Sequence, residues 1–565
     1  MASNAFDYVI VGAGSAGCAL ASRLSEDPDA TVLLLEAGGG REPWFDVRLE
    51  MPAAMAFAAR SRDRCWHYDT EPQEQLRGRR VHWPRGRVLG GSSAINAMVF
   101  NRGNPRDYDQ WGSEYGLEHW RYASVLPYFR RMETFNGPPS PYRGSSGPLN
   151  VGRVENVGEL EEAFLEAGAQ AGHAFSDDIN GATQEAFGRF DRTIHQGRRE
   201  SAGTAYLRRD RSRPNLVVWT RSQVARLNFE GRRCVGAVVL RRGRQRVVRA
   251  RREVVLAAGA INSPQLLMLS GIGPRHMLNA VGVRTRRHLP GVGRNLQDHT
   301  ELFVQQRCKR PITLAPVRNW WTRMKVGLRW LATQDGWGAS NHLAVGAFAR
   351  TRGGLDRPNV QLHFMPRAIG GEGPVRREDH GMQIHVSTCG SEARGWLGLR
   401  SDDFREAPII EPRYMTGRYD WADMRDGIRL ARDLFGQRAF RDYTGGELQP
   451  GAMRWDDAAL DEFIRETVIT AYHPCGTCRM GSDDDAVVDG SLCVIGIDGL
   501  RVADSSIFPI NLTGNTNAAS IMVGEMAADL IKGVSLPSDD VLTTPATDPL
   551  GDWQADDAEV MTAAE

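Results

Sequence analysis

Residues 6–17 read Phe-Asp-Tyr-Val-Ile-Val-Gly-Ala-Gly-Ser-Ala-Gly, an apolar run followed at once by three spaced glycines. The pattern predicts a strand over Phe6–Val11, a helix over Gly17–Ser25 and a second strand over Thr31–Leu35. Short strands that alternate with helices are typical of the α/β class. The N-terminal third therefore predicts a Rossmann-like parallel sheet that opens on a dinucleotide-binding turn.

Each glycine of this turn has its own physical role. Gly12 permits the tight turn, Gly14 lets the backbone approach a pyrophosphate, and Gly17 lets the helix pack closely on the strand. The helix that opens at Ser15 offers free N–H groups and partial positive charge to the phosphates. Glu36 lies 19 positions after Gly17 and can accept hydrogen bonds from a ribose diol, which favours FAD or NAD over NADP.

The composition is that of a globular protein long enough for two domains. The 565 residues carry a formal net charge of +1, which gives no case for nucleic acid or for an acidic membrane surface. Eight cysteines without framework spacing predict reduced thiols in an intracellular protein. We see no signal peptide and no run of about 18 apolar residues. We expect a cytoplasmic protein, with peripheral contact at the inner face of the membrane left open.

Residues 310–462 differ from the rest because they are aromatic and irregular. Alternating runs at Val360–Phe364 and Gln383–Ser387 predict a largely antiparallel sheet with flanking helices, hence a second, α+β domain. The chain then returns to glycine-rich turns. A short strand is predicted over Leu500–Ala503 and a helix over Ala518–Ile531.

Two long motifs identify a family. Residues 86–100 read Gly-Arg-Val-Leu-Gly-Gly-Ser-Ser-Ala-Ile-Asn-Ala-Met-Val-Phe, and residues 259–273 read Gly-Ala-Ile-Asn-Ser-Pro-Gln-Leu-Leu-Met-Leu-Ser-Gly-Ile-Gly. Both resemble the signatures of the glucose–methanol–choline (GMC) oxidoreductase family, and the resemblance extends from Phe6 to about Gly533. Within the family the chain is most similar to the bacterial choline dehydrogenases and related FAD-dependent alcohol dehydrogenases.

The resemblance implies bound FAD and the oxidation of a primary alcohol to its aldehyde. It also implies a discontinuous FAD-binding domain, roofed over the flavin ring by a substrate-binding domain. We expect the FAD-binding domain at residues 1–155, 202–308 and 465–534, the substrate-binding domain at residues 156–201 and 309–464, and a disordered tail at residues 535–565.

The first motif carries much of the expected cofactor site. Gly91 and Ser92 belong to a small-residue turn on which a flat ring and its phosphates can lie, and Asn96 and Ala97 are expected to place backbone N–H groups near flavin N5. Family members with covalent FAD carry a histidine one position before this asparagine. Ile95 stands there in this chain, which predicts non-covalent FAD. The other cofactor contacts that the resemblance implies are Arg87, Val224, Asp504, Asn515 and Thr516.

A third motif contains the expected base. Alcohol oxidation needs a group that takes the hydroxyl proton as hydride leaves the carbon, and a histidine pKa of about 6.5 suits that task. The resemblance assigns this role to His473, within Tyr-His-Pro-Cys-Gly, and assigns its partner to Asn515, whose amide can hold the substrate oxygen. Asn517 is the competing asparagine, which we expect as the N-cap of the last helix. That helix should point its N-terminus at the pyrimidine edge of the flavin.

Two features near this motif have other readings. Cys475 and Cys478 form a C-x-x-C pair, which in other contexts marks a thiol redox pair or half a zinc site. No second C-x-x-C pair accompanies it, so we predict neither a thiol role nor a metal. We expect His299 to be structural or to line the flavin pocket.

The identity of the alcohol substrate is the part of the function that the sequence determines least. Trp66, Tyr472 and the tryptophans of residues 320–337 could form an aromatic cage for a quaternary ammonium group, or could simply fill a core. Asn341 is expected in the same pocket. Ala344 stands where related dehydrogenases often carry a glutamate, and Arg307 places positive charge where a choline-binding protein could place negative charge. A different aliphatic, aromatic or polyol alcohol therefore stays open.

Three other classes of function explain these motifs less completely. A photoenzyme or lyase on this scaffold would not need both His473 and Asn515, and an NAD-dependent enzyme would not explain residues 86–100 and 259–273. A non-catalytic flavoprotein would bind FAD without being reduced by alcohols. The resemblance to dehydrogenases favours a quinone-type electron acceptor, replaceable by an artificial dye, over oxygen.

Overall fold

The computed structural model describes residues 5–40, 46–210, 212–368 and 380–539. These residues form two large sheets with helices packed around them. The architecture confirms the α/β class, with a Rossmann-like sheet and a second, largely antiparallel sheet.

The first sheet has seven strands and is centred on Ala5–Val11. This strand pairs in parallel with Val32–Leu35 on one side and with Arg244–Leu256 on the other. All four residues of Val32–Leu35 are buried, as expected for a parallel strand covered on both faces. The remaining strands come from distant parts of the chain: Leu216–Trp219, Ser222–Glu230, Arg233–Arg241 and Leu500–Val502.

The second sheet has eight strands and contains both strands predicted for the region of residues 310–462. These are Val360–Met365 and Gly381–Thr388, which pair antiparallel with each other. The other strands are Phe175–Ser176, Ala186–Arg189, Thr300–Cys308, Val345–Ala349, Thr444–Gln449 and Ile469–Thr470.

The strand pairing bears on the expected domain boundary at residue 308. The boundary at residue 308 assigns Thr300–Cys308 to the FAD-binding domain, but this strand pairs along its length with Gly381–Thr388 in the second sheet. Its first residue, Thr300, also pairs with Thr470. The change of sheet therefore precedes Thr300, because a strand belongs to the sheet that satisfies its backbone hydrogen bonds. Ile469–Thr470 also pairs in the second sheet, although it lies within the residues expected for the FAD-binding domain. The expected domain boundaries stay a prediction.

Smaller elements complete the fold. A four-stranded sheet contains Val99–Phe100, Glu133–Phe135, Leu149–Arg153 and Asp191–Arg192. Two-stranded pairs are Cys65–Asp69 with His82–Gly86, Ile194–His195 with Arg198–Arg199, Ile272–Gly273 with Arg287–His288, and Trp396–Gly398 with Ile409–Glu411. The α-helices are Ser15–Leu24, Val47–Glu50, Met55–Ala59, Pro105–Tyr115, Tyr122–Met132, Glu159–Gln170, Ala202–Ala205, Leu207–Asp210, Gly259–Leu269, Arg275–Ala280, Trp320–Thr333, Asp420–Gly436, Asp457–Thr467 and Asn517–Lys532.

Close packing of small residues brings the first helix, Ser15–Leu24, and the last helix, Asn517–Lys532, together. A Cβ atom on Gly17 would lie 1.9 Å from the carbonyl oxygen of Gly12, so only glycine lets the first helix sit this close to its own turn. A Cβ atom on Gly524 would lie 2.3 Å from the carbonyl oxygen of Ala16. The Asn517–Lys532 helix therefore packs directly on the first helix, beside the dinucleotide-binding turn.

Among residues 5–40, 46–210, 212–368 and 380–539, no helix combines the length and apolarity needed to cross a membrane. Most of the expected disordered tail, residues 540–565, lies outside the described residues. The described part of the tail makes contacts, since the backbone N–H of Asp539 donates to the carbonyl of Ala123 and its carboxylate pairs with Arg130 at 2.8 Å.

Candidate active site

A cleft of about 1070 Å³ opens at the carboxyl ends of the parallel strands, where open α/β sheets bind their ligands. The cleft is lined by several predicted cofactor residues: Gly12, Gly14, Ser15, Glu36, Gly91, Ser92, Val224 and Asp504.

The floor of this cleft suits a pyrophosphate. Gly12 has φ +106°, and a Cβ atom there would lie 2.4 Å from the carbonyl oxygen of Ala257. A Cβ atom on Gly91 would lie 2.7 Å from the Cα of Gly14. Gly14 also begins the first helix with no side-chain cap, which leaves the N–H groups of the first turn available to an anion.

Two carboxylates in the cleft follow two parallel strands of the first sheet, Val32–Leu35 and Leu500–Val502. Glu36 accepts hydrogen bonds from the backbone N–H groups of Gly38 at 2.8 Å and Ala13 at 3.1 Å. Burial raises the pKa of Glu36 to about 7, while these two bonds act in the opposite direction. Asp504 accepts from Gly259 N–H at 2.8 Å and from Ser263 Oγ at 2.5 Å. Both line the cleft, and their polar contacts to a dinucleotide stay a prediction.

Arg87 places a positive charge close to the cleft, although its side chain does not line the cleft. Its Nε atom is buried without a hydrogen-bond partner among the described residues. Its guanidinium lies 4.3 Å from the ring centroid of Trp66, and its charge favours the ionised form of Glu36. An orphaned donor, a glycine floor and an uncapped helix fit the anionic, acceptor-rich FAD.

The remaining expected cofactor residues are placed differently. Gly17 packs the helix on its turn and does not line the cleft. The backbone N–H of Asn96 already donates to Ser92 O at 2.9 Å, and Ala97 accepts at its carbonyl from Asn341 Nδ2 at 2.7 Å. Thr516 directly precedes the last helix.

Asn517 does not have the expected role. We predicted it as the N-cap of the last helix, but the helix begins at Asn517 itself and is preceded by Thr516, which has helical φ and ψ. The Asn517 side chain instead accepts from Ser15 Oγ at 2.7 Å. Tertiary contact with the first helix takes this side chain away from capping, and it joins the two helix N-termini beside the cleft.

The loop that carries His473 is held by hydrogen bonds from three directions. Tyr472 has φ +67°, which is unusual for a bulky residue. Its N–H donates to Thr470 Oγ1 at 2.7 Å, and its carbonyl accepts from Arg85 at 2.9 Å. The N–H of His473 donates to Asp298 Oδ1 at 2.8 Å. Arg85 also lines the cofactor cleft, so this loop is tied directly to the cofactor site.

His473 and Asn515 meet as the sequence predicts. Asn515 Nδ2 lies 2.9 Å from His473 Nε2. Asn515 Oδ1 accepts from Asn101 and, at 3.2 Å, from Gln361. Those two donors orient the amide so that its NH₂ group faces His473, which leaves Nε2 as an unprotonated acceptor.

The histidine is kept neutral. Burial lowers the pKa of His473 well below its usual range, and nearby positive charge on His299, His363 or Arg85 would lower it further. His299 Nδ1 lies 3.1 Å from His473 Nδ1, and burial lowers the pKa of His299 to about 4. A neutral imidazole is the form that can accept a proton.

Sequence reasoning missed Glu301, on the strand that leaves the His299 turn. Burial acts to raise its pKa, but His385, His363 and Ser387 outweigh burial, and the net pKa is lowered from 4.5. Its carboxylate lies 3.3 Å from His385 Nδ1 and accepts from Ser387 Oγ at 2.9 Å. The sequence signal that could have identified Glu301 is its position as an acidic residue at the start of the apolar run Leu302–Val304.

Hydrogen bonds from two glutamines orient the neighbour of Glu301. Gln383 Nε2 lies 2.7 Å from His385 Nε2, and Gln383 Oε1 accepts from Gln305. This orientation makes His385 Nε2 an acceptor and directs the Nδ1–H group at the Glu301 carboxylate. Burial lowers the pKa of His363 to about 4. The Glu301 carboxylate therefore faces hydrogen-bond donors from His385 and Ser387.

The members of the expected aromatic cage lie in different surroundings. Trp66 lines the cofactor cleft and stacks on Tyr68 at 6.1 Å, with Arg87 over its ring. Asn341 is buried and bonds to Ala97. Only Tyr472, which is half-exposed, adjoins His473. Of the tryptophans in residues 320–337, one is buried and three are exposed: Trp330 is buried, and Trp320, Trp321 and Trp337 are exposed.

The sequence raises two objections to a cationic substrate, Arg307 and Ala344, and the structure weakens both. Arg307 is six residues beyond Glu301 on the same strand, which is about 20 Å at 3.3 Å per residue. Ala344 lacks an acid, but Glu301 supplies one. Arg307 is close to Glu301 in sequence but distant in space, because each successive residue of an extended strand lies further along its axis.

The C-x-x-C pair takes no part in the site. Cys475 and Cys478 are both buried and free, and burial raises the pKa of each thiol. A reactive cysteine needs the opposite environment, one that favours the thiolate.

The GMC oxidoreductase family matches this chain twice, over residues 6–301 in its N-terminal part and over residues 391–524 in its C-terminal part. An oxygen-dependent choline dehydrogenase of Brucella anthropi is 48% identical over 530 residues, which cover 93% of this chain and 95% of that protein. A protein of the same name from Pseudomonas aeruginosa is 47% identical over 536 residues, which cover 94% and 95%.

Solved structures agree with this assignment. The crystal structure of pyridoxine 4-oxidase from Mesorbium loti has a TM-score of 0.84 and 33% identity, and covers 93% of this chain and 98% of that one. A formate oxidase has a TM-score of 0.87 and 28% identity, and covers 94% and 98%. Structures of the Aspergillus oryzae formate oxidase, 29% identical, address modification of its FAD.

Proposed function

Since the chain belongs to the GMC oxidoreductase family and is therefore an FAD-dependent oxidoreductase acting on CH–OH donors, we propose that it oxidises choline to the corresponding aldehyde. The observation that carries this proposal is Glu301, a largely buried carboxylate with a lowered pKa on the strand that pairs with the segment leading into His473. A carboxylate at this place favours a substrate with a positive charge. The names of the relatives point to the same substrate.

His473 acts as the base in this proposal. Its unprotonated Nε2 accepts the hydroxyl proton, and Asn515 Nδ2 holds the oxygen as negative charge develops there. Bound FAD supplies the hydride acceptor. Asp298 and Arg85 hold the Tyr472–His473 backbone in place, so the base has its position before substrate arrives.

Glu301 binds the ammonium group from the neighbouring strand. Thr300 pairs with Thr470 in the second sheet, which places Glu301 next to the segment that leads into Tyr472 and His473. Burial, and to a smaller extent the negative charge of Glu301, raise the pKa of Tyr472 to about 12. The effect of Glu301 is consistent with a short separation between the two side chains. The ring of Tyr472 then offers an aromatic face beside the carboxylate.

The experiment compares choline with its uncharged isostere, 3,3-dimethylbutan-1-ol. Choline should have the higher kcat/KM by about tenfold or more, since a desolvated cation–π contact alone contributes about 2 kcal/mol and each 1.4 kcal/mol is tenfold. The assay is run with a dye acceptor and with oxygen in parallel, and we expect faster turnover with the quinone-like dye. A higher kcat/KM for the neutral alcohol would replace choline with an uncharged primary alcohol as the substrate.

We also propose that FAD is bound without a covalent link. Ile95 occupies the position before Asn96 and packs in a small apolar cluster, so no nucleophile stands there. Acid precipitation of the yellow protein should release all of its FAD into the supernatant, measured by absorbance. Flavin that stays with the protein pellet would contradict this proposal.

A further inference from the structure

The Trp320–Thr333 helix lies on the surface and is buried along a single narrow face. Trp330 is fully buried, and its Nε1 donates to the carbonyl of Gly197 at 2.7 Å. Val326, one turn earlier, packs in the same small cluster. These two side chains anchor the helix to the protein, so the opposite face is directed into solvent.

The solvent face is apolar. At about 100° per residue, Trp320, Trp321, Leu328 and Leu331 all project within about 60° of Met324. Trp320 and Trp321 are 59% and 53% exposed, and Leu328 is 58% exposed. The two tryptophan rings stack on each other at 3.6 Å. A folded protein exposes a contiguous apolar stripe of this kind when the stripe has a binding partner.

Cations flank the stripe on both sides. Arg323 projects about 100° to one side of Met324, and Lys325 projects about 100° to the other side. Arg329 projects about 140° to that side and is paired with Asp335 at 2.8 Å. The helix itself contains no acidic residue. Beside it, Phe57 is also exposed and lies under the Arg323 guanidinium.

We propose that this helix docks the protein on an anionic lipid bilayer, lying in the plane of the interface. Tryptophan and leucine on one face with lysine and arginine at its edges is the pattern of interfacial helices. The cations can extend toward lipid phosphates while the apolar stripe enters the acyl boundary.

Co-sedimentation tests this with vesicles of equal parts phosphatidylcholine and phosphatidylglycerol. The holoenzyme should bind them, and it should bind less in 0.5 M salt or on pure phosphatidylcholine, since the basic residues act through charge. The variant Trp320→Ser/Trp321→Ser/Leu328→Ser should lower the partition coefficient about tenfold or more. Arg323→Gln/Lys325→Gln should lower it about tenfold on the anionic vesicles alone.

Matched controls come from elsewhere on the surface. Met453→Ser/Trp455→Ser removes two other exposed apolar side chains, and Arg244→Gln/Arg246→Gln removes two other exposed arginines. Both variants should bind vesicles like the wild type. All variants should keep full FAD content and full alcohol oxidation with a soluble dye, because none of these residues touches the active site.

Three outcomes would overturn the proposal. One is wild-type protein that does not sediment with anionic vesicles. Another is equal loss of binding in the control variants. The third is a lipid-free dimer that the Trp320→Ser/Trp321→Ser/Leu328→Ser variant converts to a monomer, measured by analytical ultracentrifugation, together with no vesicle binding. That result would assign the stripe to a second copy of the chain.

Discussion

Replacing His473 by alanine is expected to slow the reduction of bound FAD by choline by about two to four orders of magnitude, the usual contribution of a general base. His473 Nε2 faces Asn515 and is unprotonated, and burial keeps the imidazole neutral. In the variant no side chain at this position can take the hydroxyl proton. Stopped-flow absorbance under anaerobic conditions measures the rate constant.

The control separates chemistry from folding. His82→Ala removes an exposed histidine on the Cys65–Asp69 and His82–Gly86 hairpin and should leave the rate constant unchanged. His473→Ala should keep a near-stoichiometric FAD content, because His473 does not line the cofactor cleft. Wild-type reduction rates in His473→Ala would remove this residue from the mechanism.

Replacing Glu301 by glutamine is expected to lower kcat/KM for choline by roughly 30- to 1,000-fold, while the value for 3,3-dimethylbutan-1-ol changes little. Loss of one member of a buried charge pair costs about 2–4 kcal/mol, and each 1.4 kcal/mol corresponds to tenfold. Glutamine keeps the shape and can still accept from Ser387, so the change tests the charge. Steady-state kinetics with both alcohols measure it.

A matched control is Glu447→Gln, a second carboxylate that lies outside the active site and pairs with Arg432. It should leave the ratio of the two kcat/KM values unchanged. An equal loss for both alcohols in Glu301→Gln would mean that Glu301 supports the fold of the pocket and does not bind an ammonium group.

Local structure was predictable because it depends on short stretches of chain. The turn of residues 12–17, the strands around it and the last helix follow from apolar spacing and from glycine's access to positive φ. Gly12 has φ +106°, as the predicted tight turn requires. His473 and Asn515 came from family resemblance, and the structure brings them within hydrogen-bond distance.

The substrate side of the site was not predictable in this way. Glu301, Asp298 and Arg85 stand in unremarkable local sequences, and each acquires its role through a partner more than 80 positions away: Ser387, His473 and Tyr472 respectively. The grouping of Trp66 with Tyr472 stays a prediction, because composition says nothing about which ring faces which cavity.

The sequence by itself therefore determined the α/β class and the glycine-rich turn, and the family resemblance pointed to His473 and Asn515 as the proposed catalytic pair. Tertiary structure alone decided which charges meet there. The physical reason is strand register. The pairing of Thr300 with Thr470 sets Glu301 beside the His473 segment and carries Arg307 about 20 Å away, and such pairing is fixed by the whole sheet and not by any stretch within it.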